Sequence, residues 1–359
     1  MMKLPSLRIG ELVAEVPILQ GAMGVGVSLS NLAAAVANER GIGVIAGVQI
    51  GFEEPDFETN NDAANVRALK KHIRKARELS SDGIIGVNLM AAINNYKDMV
   101  MAAVEEKIDL IVSGAGLPTD LPSMIQGTKT KIAPIVSSSK AAALIAKLWD
   151  RKFQYLPDLV IVEGPEAGGH LGFSEEQLNT NPKPRLEEIV KDVIEALKPY
   201  EEKYNKAIPV IAAGGIFDGA DIAKYIKMGA AGVQMATRFV PTEECDADRR
   251  FKEAYIQSKE EDIRLVKSPV GMPGRAIYNN FMKRLEKEKI PVKKCYNCLK
   301  PCEPKNTPYC ISHALIDSVK GNVEDGLVFS GTNAYRTDKI ITVKELINQL
   351  MIETQAALA

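Results

Sequence analysis

Residues 209–239, PVIAAGGIFDGADIAKYIKMGAAGVQMATRF, decide the fold of this chain. The stretch opens with a short apolar run that ends in two glycines and closes with a second apolar run. A segment with helical periodicity, 218–228, connects the two runs. Runs that are apolar at nearly every position are typical of parallel strands buried on both faces. The stretch therefore predicts a strand–helix–strand unit of a parallel sheet.

The same pattern recurs along the first 240 residues. Apolar runs that end in Gly, Ser or Asn predict eight strands: 17–23, 43–47, 84–90, 110–116, 131–138, 159–164, 209–215 and 232–239. Amphipathic segments between them predict helices: 62–79, 95–107, 139–151, 184–203 and 218–228. Eight strand–helix units over this length predict an α/β fold of the (β/α)8 TIM barrel type.

A doubly wound open sheet is the alternative architecture. Its dinucleotide fingerprint requires the spacing G-x-G-x-x-G where a strand leads into a helix. The glycine-rich string GAMGVG at 21–26 has a different spacing, and eight predicted strands exceed the usual six of that fold. The closed barrel is therefore the preferred prediction.

The strand pattern stops after residue 240. Two further helices and a Cys-rich segment are predicted beyond it: 246–263, 276–288 and 295–310. A last helix is predicted to follow Thr342, a residue type favoured at N-caps, over 343–351. These patterns predict two units: a barrel of residues 1–240 plus about 331–359, and a small, mostly helical subdomain of residues 241–330.

The composition argues against two classes of partner. The 359 residues include 45 Lys plus Arg and 46 Asp plus Glu, whereas nucleic-acid-binding domains usually carry a basic excess. No stretch approaches the ~20 apolar residues of a membrane span. The start, MMKLPSLRIGELV, lacks the apolar core of a signal peptide. We therefore expect a cytoplasmic protein with no nucleic-acid or membrane partner, whose oligomeric state stays open.

The chemically interesting residues follow the predicted strands, where a (β/α)8 barrel builds its active site. Gly214 and Gly215 come after the seventh strand. Glycine lets backbone N–H groups approach an anion closely, and a following helix N-terminus adds free donors. The alternative is that these glycines only turn the chain. A pair at this position favours a phosphate site.

His170 follows the sixth predicted strand and the pair Gly168–Gly169. A histidine at the carboxyl end of a strand can act as proton donor, base or anion stabiliser near neutral pH. The alternative is a structural loop histidine. His72 lies in a Lys/Arg-rich helix and is predicted to be solvated, and His313 is predicted to pack in a helix, with metal ligation as its alternative.

Several of these segments together resemble the nitronate monooxygenase (2-nitropropane dioxygenase) family, which includes the FMN-dependent enoyl-acyl-carrier-protein reductases of the FabK type. The most specific match is E-A-G-G-H-x-G-F at 166–173. Further matches occur in order along the chain: LAAAVANERGIGVIAG (32–47), PVIAAGGI (209–216), GAAGVQMATRF (229–239) and SPVGMPGRAI (268–277). The resemblance covers nearly the whole chain except the Cys-rich segment.

The resemblance implies a barrel that holds FMN non-covalently, with His170 as the catalytic residue facing the flavin and a small-molecule substrate. The isoalloxazine would lie near the first and third strands, and the phosphate would lie at the last two. The implied cofactor-binding residues are Gly21, Ala22, Met23, Asn88, Glu163, Gly168, Gly169, Gly214, Gly215, Gln234, Met235, Ala236 and Thr237.

Three departures from the family pattern bear on the reaction. Ala236 stands where the family usually has Gly, and the added methyl leaves a backbone contact to phosphate in place. The first strand ends in Q-G-A-M at 20–23, where the monooxygenases often have Q-A-P-M. Glu163 stands where they often have Gln. The last two changes resemble the reductase branch.

Four cysteines, Cys295, Cys298, Cys302 and Cys310, have the spacing C-x2-C-x3-C-x7-C. Four thiolates this close in sequence suit a soft metal. A [4Fe–4S] cluster, a structural Zn site and a cluster without metal all stay open as interpretations. Cys245 stands apart and is predicted to be a buried apolar residue.

The amino-acid sequence leaves three functions open. The preferred one is the oxidation of alkyl nitronates to carbonyl compounds and nitrite with oxygen, in which His170 stabilises the anion. The second is NAD(P)H-dependent reduction of an enoyl thioester, which needs an apolar groove at the barrel mouth. The third is a flavin-binding redox sensor that uses the cysteines and has no turnover.

Overall fold

The computed structural model describes residues 5–359. The described chain begins with an antiparallel hairpin of β1 (Leu7–Ile9) and β2 (Leu12–Ala14). Leu7 and Ile9 are buried in the same apolar cluster as Leu19, Leu110 and Leu159, which lie at the barrel strands. The hairpin is held there by an ion pair of 2.8 Å between Glu11 and Lys131. It therefore closes the amino-terminal end of the barrel.

Eight parallel strands form a closed barrel, in the spatial order β10-β11-β3-β4-β5-β6-β7-β8. Their bounds are β3 (Ile18–Gln20), β4 (Ile42–Ala46), β5 (Ile84–Met90), β6 (Leu110–Gly114), β7 (Lys131–Val136), β8 (Val160–Glu163), β10 (Val210–Ala213) and β11 (Gly232–Met235). Most of their side chains are buried, because one face packs in the barrel interior and the other packs under the helices. The predicted (β/α)8 barrel and its eight strands are confirmed.

Helices surround this barrel: α1 (Ser30–Asn38), α2 (Asn61–Leu79), α3 (Tyr96–Glu105), α4 (Leu121–Met124), α5 (Ser139–Phe153), α6 (Glu175–Asn179), α7 (Leu186–Tyr204) and α8 (Gly219–Lys227). The α2 helix shows why the amphipathic pattern predicts them. Its Leu69 and Ile73 are buried, whereas Arg74 on the solvent side pairs with Glu106 at 2.6 Å. The helices α1, α4 and α6 were not predicted.

The segment after the barrel contains both helices and strands. The elements are α9 (Arg249–Gln257), β12 (Ile263–Lys267), β13 (Pro273–Ile277), α10 (Asn280–Leu285) and α11 (Ile311–Val319). The helices predicted over 246–263 and 276–288 are therefore too long, because a β-hairpin lies between α9 and α10. Its third strand is β9 (Gly169–His170), which comes from the loop after β8.

The C-terminal helix α12 (Val343–Leu358) returns to the barrel and packs against α8 and α1. Thr342 caps it as predicted, because its side-chain oxygen accepts a hydrogen bond from the backbone N–H of Glu345. The apolar core is continuous between the barrel helices and the segment 241–330, since Leu69, Phe281 and Leu315 belong to one cluster. Within residues 5–359, no helix is long and apolar enough to cross a membrane.

Candidate active site

A cavity of about 260 Å³ lies at the carboxyl ends of the barrel strands. Every residue predicted for catalysis or cofactor binding lines it: Gly21, Ala22, Met23, Asn88, Glu163, Gly168, Gly169, His170, Gly214, Gly215, Gln234, Met235, Ala236 and Thr237. They come from loops that are far apart in sequence, and the closed barrel brings them to one rim. The side opposite the barrel is covered by the segment 241–330.

Gly214 and Gly215 form a backbone cradle after β10. Both have left-handed backbone, with φ of 95° and 81°, which favours glycine. A Cβ atom on Gly215 would overlap the Oε2 atom of Glu166. Within residues 5–359, the N–H groups of Gly214, Gly215 and Thr237 have no hydrogen-bond partner. Free N–H groups converging at this position are the chemistry that binds a phosphate.

A second group of polar atoms faces the same end of the cavity. The Ser330 hydroxyl is buried and has no hydrogen-bond partner among the described residues. Ser330 and Gly331 come close to Gly168, where a Cβ atom would approach the Ser330 carbonyl carbon within 2.5 Å. A buried hydroxyl without a partner is costly unless a ligand satisfies it.

His170 lies on the cavity wall in the short strand β9. Its Nε2 atom is 2.6 Å from the Oγ atom of Ser268, and its ring meets the edge of Phe329 with centroids 5.1 Å apart. Burial lowers the pKa of His170 to about 4. The imidazole is therefore neutral at pH 7 and offers a hydrogen-bond donor rather than a charge.

Arg275 holds the loop that carries His170. Its guanidinium is buried, and Nη1 donates to the carbonyl oxygens of Pro165 at 2.8 Å and Ala167 at 2.5 Å. Backbone pairing between β13 and β9 adds a second constraint, with Gly274 opposite His170. Because these contacts come from the segment 241–330, that segment fixes the position of the histidine.

Glu163 is the last residue of β8, and its side chain lines the cavity. Burial alone raises the pKa of this carboxyl to about 7. The wall contains no Lys or Arg among the residues described, so no cation in the cavity offsets a negative charge on Glu163. At neutral pH, a substantial fraction of Glu163 is therefore the neutral acid.

The cavity wall opposite the barrel is apolar. Its side chains come from α9, α11 and the loops near them: Phe251, Leu299, Ile311, Leu315 and Leu327. An apolar wall with few polar groups suits a hydrocarbon portion of a ligand. Sequence periodicity did not place these residues at the site, because they belong to the segment where the predicted helices had the wrong bounds.

The four clustered cysteines are free thiols in the described structure. Cys295 is exposed, the other three are half-buried, and Cys298 also lines the cavity. The hydroxyl of Ser312 donates to Cys298 Sγ at 3.2 Å. Within residues 5–359, no three His, Cys, Asp or Glu side chains converge as a metal site. The side chains as placed therefore do not fit a metal or an iron–sulfur cluster.

Burial keeps the three half-buried thiols of this segment neutral. It raises the pKa of Cys298 and Cys302, and it raises the pKa of Cys310 to about 11. The segment is held by the loop after β5, where the N–H of Asn94 donates to the carbonyl of Cys298 at 3.2 Å. The cysteine loop therefore serves as part of the cavity wall.

The two other histidines lie outside the cavity. His313 packs against Tyr296 with ring centroids 4.9 Å apart, in the helix α11 as predicted. His72 was predicted to be solvated, and this prediction is wrong. It is half-buried, its Nδ1 atom lies 3.1 Å from the Ser30 hydroxyl, and burial lowers its pKa to about 4.

Three residues near His170 were not predicted, although sequence signals for them exist. Ser268 and Arg275 belong to the segment SPVGMPGRAI, which the family resemblance singles out. Phe329 ends the short apolar run LVF at 327–329, which leads into Ser330 and Gly331 as the barrel strands lead into their glycines. That pattern could have indicated a further loop at the site.

A closed barrel with a glycine-lined cavity at the carboxyl ends of its strands defines the class of (β/α)8-barrel enzymes. The match to known families is more specific. The chain belongs to the nitronate monooxygenase family, whose sequence profile matches residues 6–353. It is accordingly an FMN-dependent oxidoreductase.

Two named relatives are similar in sequence to this chain. A probable nitronate monooxygenase of Staphylococcus aureus (strain Newman) is 25% identical over 303 residues, which cover 76% of this chain and 78% of the relative. Among solved structures, FabK from Thermotoga maritima is similar, with a TM-score of 0.73 and 27% identity over 96% of this chain and 94% of that one.

A third relative supports the fold alone. Nitroalkane oxidase from Streptomyces ansochromogenes matches with a TM-score of 0.73 and 21% identity over 95% of this chain and 96% of that one. The cavity fits the FMN of this family. The free N–H groups of Gly214, Gly215 and Thr237 and the unpaired Ser330 hydroxyl suit a phosphate, and the apolar wall suits a flat ring.

Proposed function

We propose that this protein oxidises alkyl nitronates to carbonyl compounds and nitrite with oxygen, using FMN bound in the cavity. The observation that carries the proposal is the position of His170 on the wall of the glycine-lined cavity, in a chain of the nitronate monooxygenase family. Bound FMN would supply the electron transfer between the nitronate and oxygen, and the protein would orient both.

The role of His170 follows from its neutral state. A ring N–H directed at the nitro group would stabilise the nitronate anion as a hydrogen-bond donor. The lowered pKa of His170 favours a neutral hydrogen-bond donor over a charged imidazolium. Ser268 would act as a positioning residue, because its hydroxyl lies 2.6 Å from Nε2 and would hold the ring in place.

Gly214, Gly215 and Thr237 would hold the FMN phosphate through backbone N–H groups. Met23 and Asn88 at the ends of β3 and β5 would lie along the flavin ring, with Gly21 and Ala22 beside them. Ala236 does not interfere with this arrangement, because the contacts proposed for its turn are made by backbone atoms.

The direct experiment is anaerobic mixing of the FMN-loaded protein with an alkyl nitronate and, separately, with NADH or NADPH. Loss of flavin absorbance with the nitronate alone, followed by oxygen consumption when air is admitted, is the expected result. If only NAD(P)H removes the absorbance, the monooxygenase proposal fails.

A second candidate is NAD(P)H-dependent reduction of an enoyl thioester. It is favoured by the apolar wall from α9 and α11, which could contact an acyl chain, and by the 27% identity to FabK. Enoyl thioesters of increasing chain length would test it. The expected result is a kcat/KM that rises with chain length, and Leu315→Ala, which removes part of the apolar wall, should weaken this rise.

A metal at the cysteines plays no part in either candidate, because the four thiols do not converge. Iron and zinc analysis of anaerobically purified protein tests this independently. One cluster per chain would require a rearranged cysteine loop and would return the redox-sensor hypothesis to consideration.

A further inference from the structure

Glu163 is an ionisable group that the proposed reaction does not use. It ends β8, in register with Ala213 on β10, and its carboxyl lies in the cavity. Burial is the single cause of its shifted pKa, so no hydrogen bond or charge from the described residues stabilises the ionised form. Any ligand that fills the cavity will remove the remaining water from this carboxyl.

The groups around Glu163 are few and carry no compensating charge. Ile135 on β7 and Ala213 on β10, which line the cavity near Glu163, are apolar, and the residue that follows β7 in register with Glu163 is the uncharged Ser137. The titratable side chains that share the cavity are Glu166, His170, Tyr255 and Cys298. Glu166 would be a further negative charge, and the other three are neutral at pH 7 because burial holds His170 unprotonated and the tyrosine and thiol protonated.

We propose that Glu163 binds FMN as the neutral carboxylic acid, so that FMN binding is coupled to uptake of one proton by this side chain. The inference rests on FMN occupying the cavity as proposed above. A neutral carboxylic acid offers an O–H donor to the cofactor. An ionised Glu163 would be a buried charge without a partner, which is strongly unfavourable.

The sign of the coupling follows from linkage. In the open cavity the pKa of Glu163 is about 7, so at pH 8 it is mostly ionised. Filling the cavity with FMN raises the pKa of Glu163 further. At pH 8, FMN binding is therefore accompanied by the uptake of about 0.9 proton, the fraction of Glu163 that was ionised before. The FMN phosphate contributes nothing at this pH, because its second pKa is about 6 and it is already a dianion.

Isothermal titration of the FMN-free full chain with FMN at pH 8, in two buffers of different ionisation enthalpy, measures this uptake. The wild type should take up close to one proton per FMN, and Glu163→Gln should take up none while retaining affinity. Glu78→Gln, an exposed carboxyl on α2, is the matched control and should behave as the wild type. Equal uptake in wild type and Glu163→Gln overturns the proposal.

The loaded protein gives a second readout that needs no FMN removal. The dissociation constant of FMN, from flavin fluorescence on dilution, should rise by up to about tenfold per pH unit between pH 7 and 9 in the wild type. In Glu163→Gln the dissociation constant of FMN should not change with pH over this range. A flat profile in the wild type contradicts the inference about Glu163 alone, whereas absence of FMN binding at every pH contradicts the cofactor proposal itself.

Discussion

The Nε2 atom of His170 lies 2.6 Å from the Oγ atom of Ser268, although 98 residues separate the two in the chain. The contact joins the loop after β8 to the hairpin of β12 and β13. It connects the catalytic candidate to a segment that lies outside the barrel.

Replacement of the histidine tests its role in turnover. His170→Ala should lower nitronate-dependent oxygen consumption by at least about 100-fold, because the donor to the anion is lost. FMN absorbance should be retained, since the cradle is formed by other residues. His72→Asn, at a half-buried histidine outside the cavity, is the control. Unchanged turnover in His170→Ala would exclude the proposed role.

Removal of the Ser268 hydroxyl should have a smaller effect. Ser268→Ala loses one neutral hydrogen bond, which corresponds to a two- to tenfold decrease in kcat, roughly 0.5–1.5 kcal/mol. The KM should change little if Ser268 acts only through the imidazole. An exposed serine, Ser123 on α4, provides a comparison by Ser123→Ala. A kcat equal to that of the wild type would show that Ser268 does not position the imidazole.

The glycine cradle gives a matched pair of substitutions. Gly215→Ala should strongly weaken FMN binding, because the new Cβ would overlap Glu166 Oε2 and lie 3.0 Å from Glu166 Cβ, so that the cradle must shift to make room. Gly127→Ala has a similar φ, 76°, but nothing within 4 Å of the new Cβ. It carries only the backbone cost, about 1–2 kcal/mol. Titration of both variants with FMN separates strain from crowding, and equal affinities would argue against a phosphate at Gly215.

Stability should depend on pH through the histidines. Burial lowers the pKa of His72 and His170 from 6.5 to about 4, so the unfolded chain binds more protons than the folded one between these values. The free energy of unfolding by urea should therefore fall as the pH drops from 6.5 towards 4. Glu163 offsets only part of this fall, since burial raises its pKa to about 7 and its neutral form favours the folded state in this range. Ion-paired carboxylates such as Asp120 have lowered pKa values and lose their contribution only at lower pH. His170→Asn should reduce the slope; a slope unchanged by this variant would place the histidine in solvent.

Thiol reactivity tests the placement of the cysteines. Cys295 is exposed, whereas burial raises the pKa of Cys310 to about 11 and of Cys245 to about 12. Alkylation at pH 8, followed by mass spectrometry of peptides, should therefore modify Cys295 first and Cys245 last. Protection of Cys295 to the same degree as its three neighbours would indicate a shared metal instead of free thiols.

The barrel could be predicted from the sequence because its signal is local. A strand buried on both faces must be apolar at nearly every position, so the eight runs are visible in the chain without knowledge of their partners. The residues that follow them, from Gly21 to Thr237, could be assigned to one site because parallel strands end at the same rim. The strand β5 was predicted with the bounds it has in the structure, 84–90.

The segment 241–330 could not be predicted in the same way. The strands β12 and β13 depend on pairing with β9, whose two residues, Gly169 and His170, carry no strand pattern of their own. The cysteine spacing indicated a metal, but spacing in sequence does not determine whether four thiols converge. Only the folded chain shows that Cys298 faces the cavity and Cys295 faces solvent.

The sequence by itself determined the barrel, its family and the residues at the strand ends, since those depend on burial and on local backbone needs. Tertiary structure alone decided which side chains meet His170, because Ser268 and Phe329 reach it through long-range pairing. It also decided the protonation of His170 and Glu163, since a pKa is shifted by the surroundings that folding places around the group and not by its neighbours in the chain.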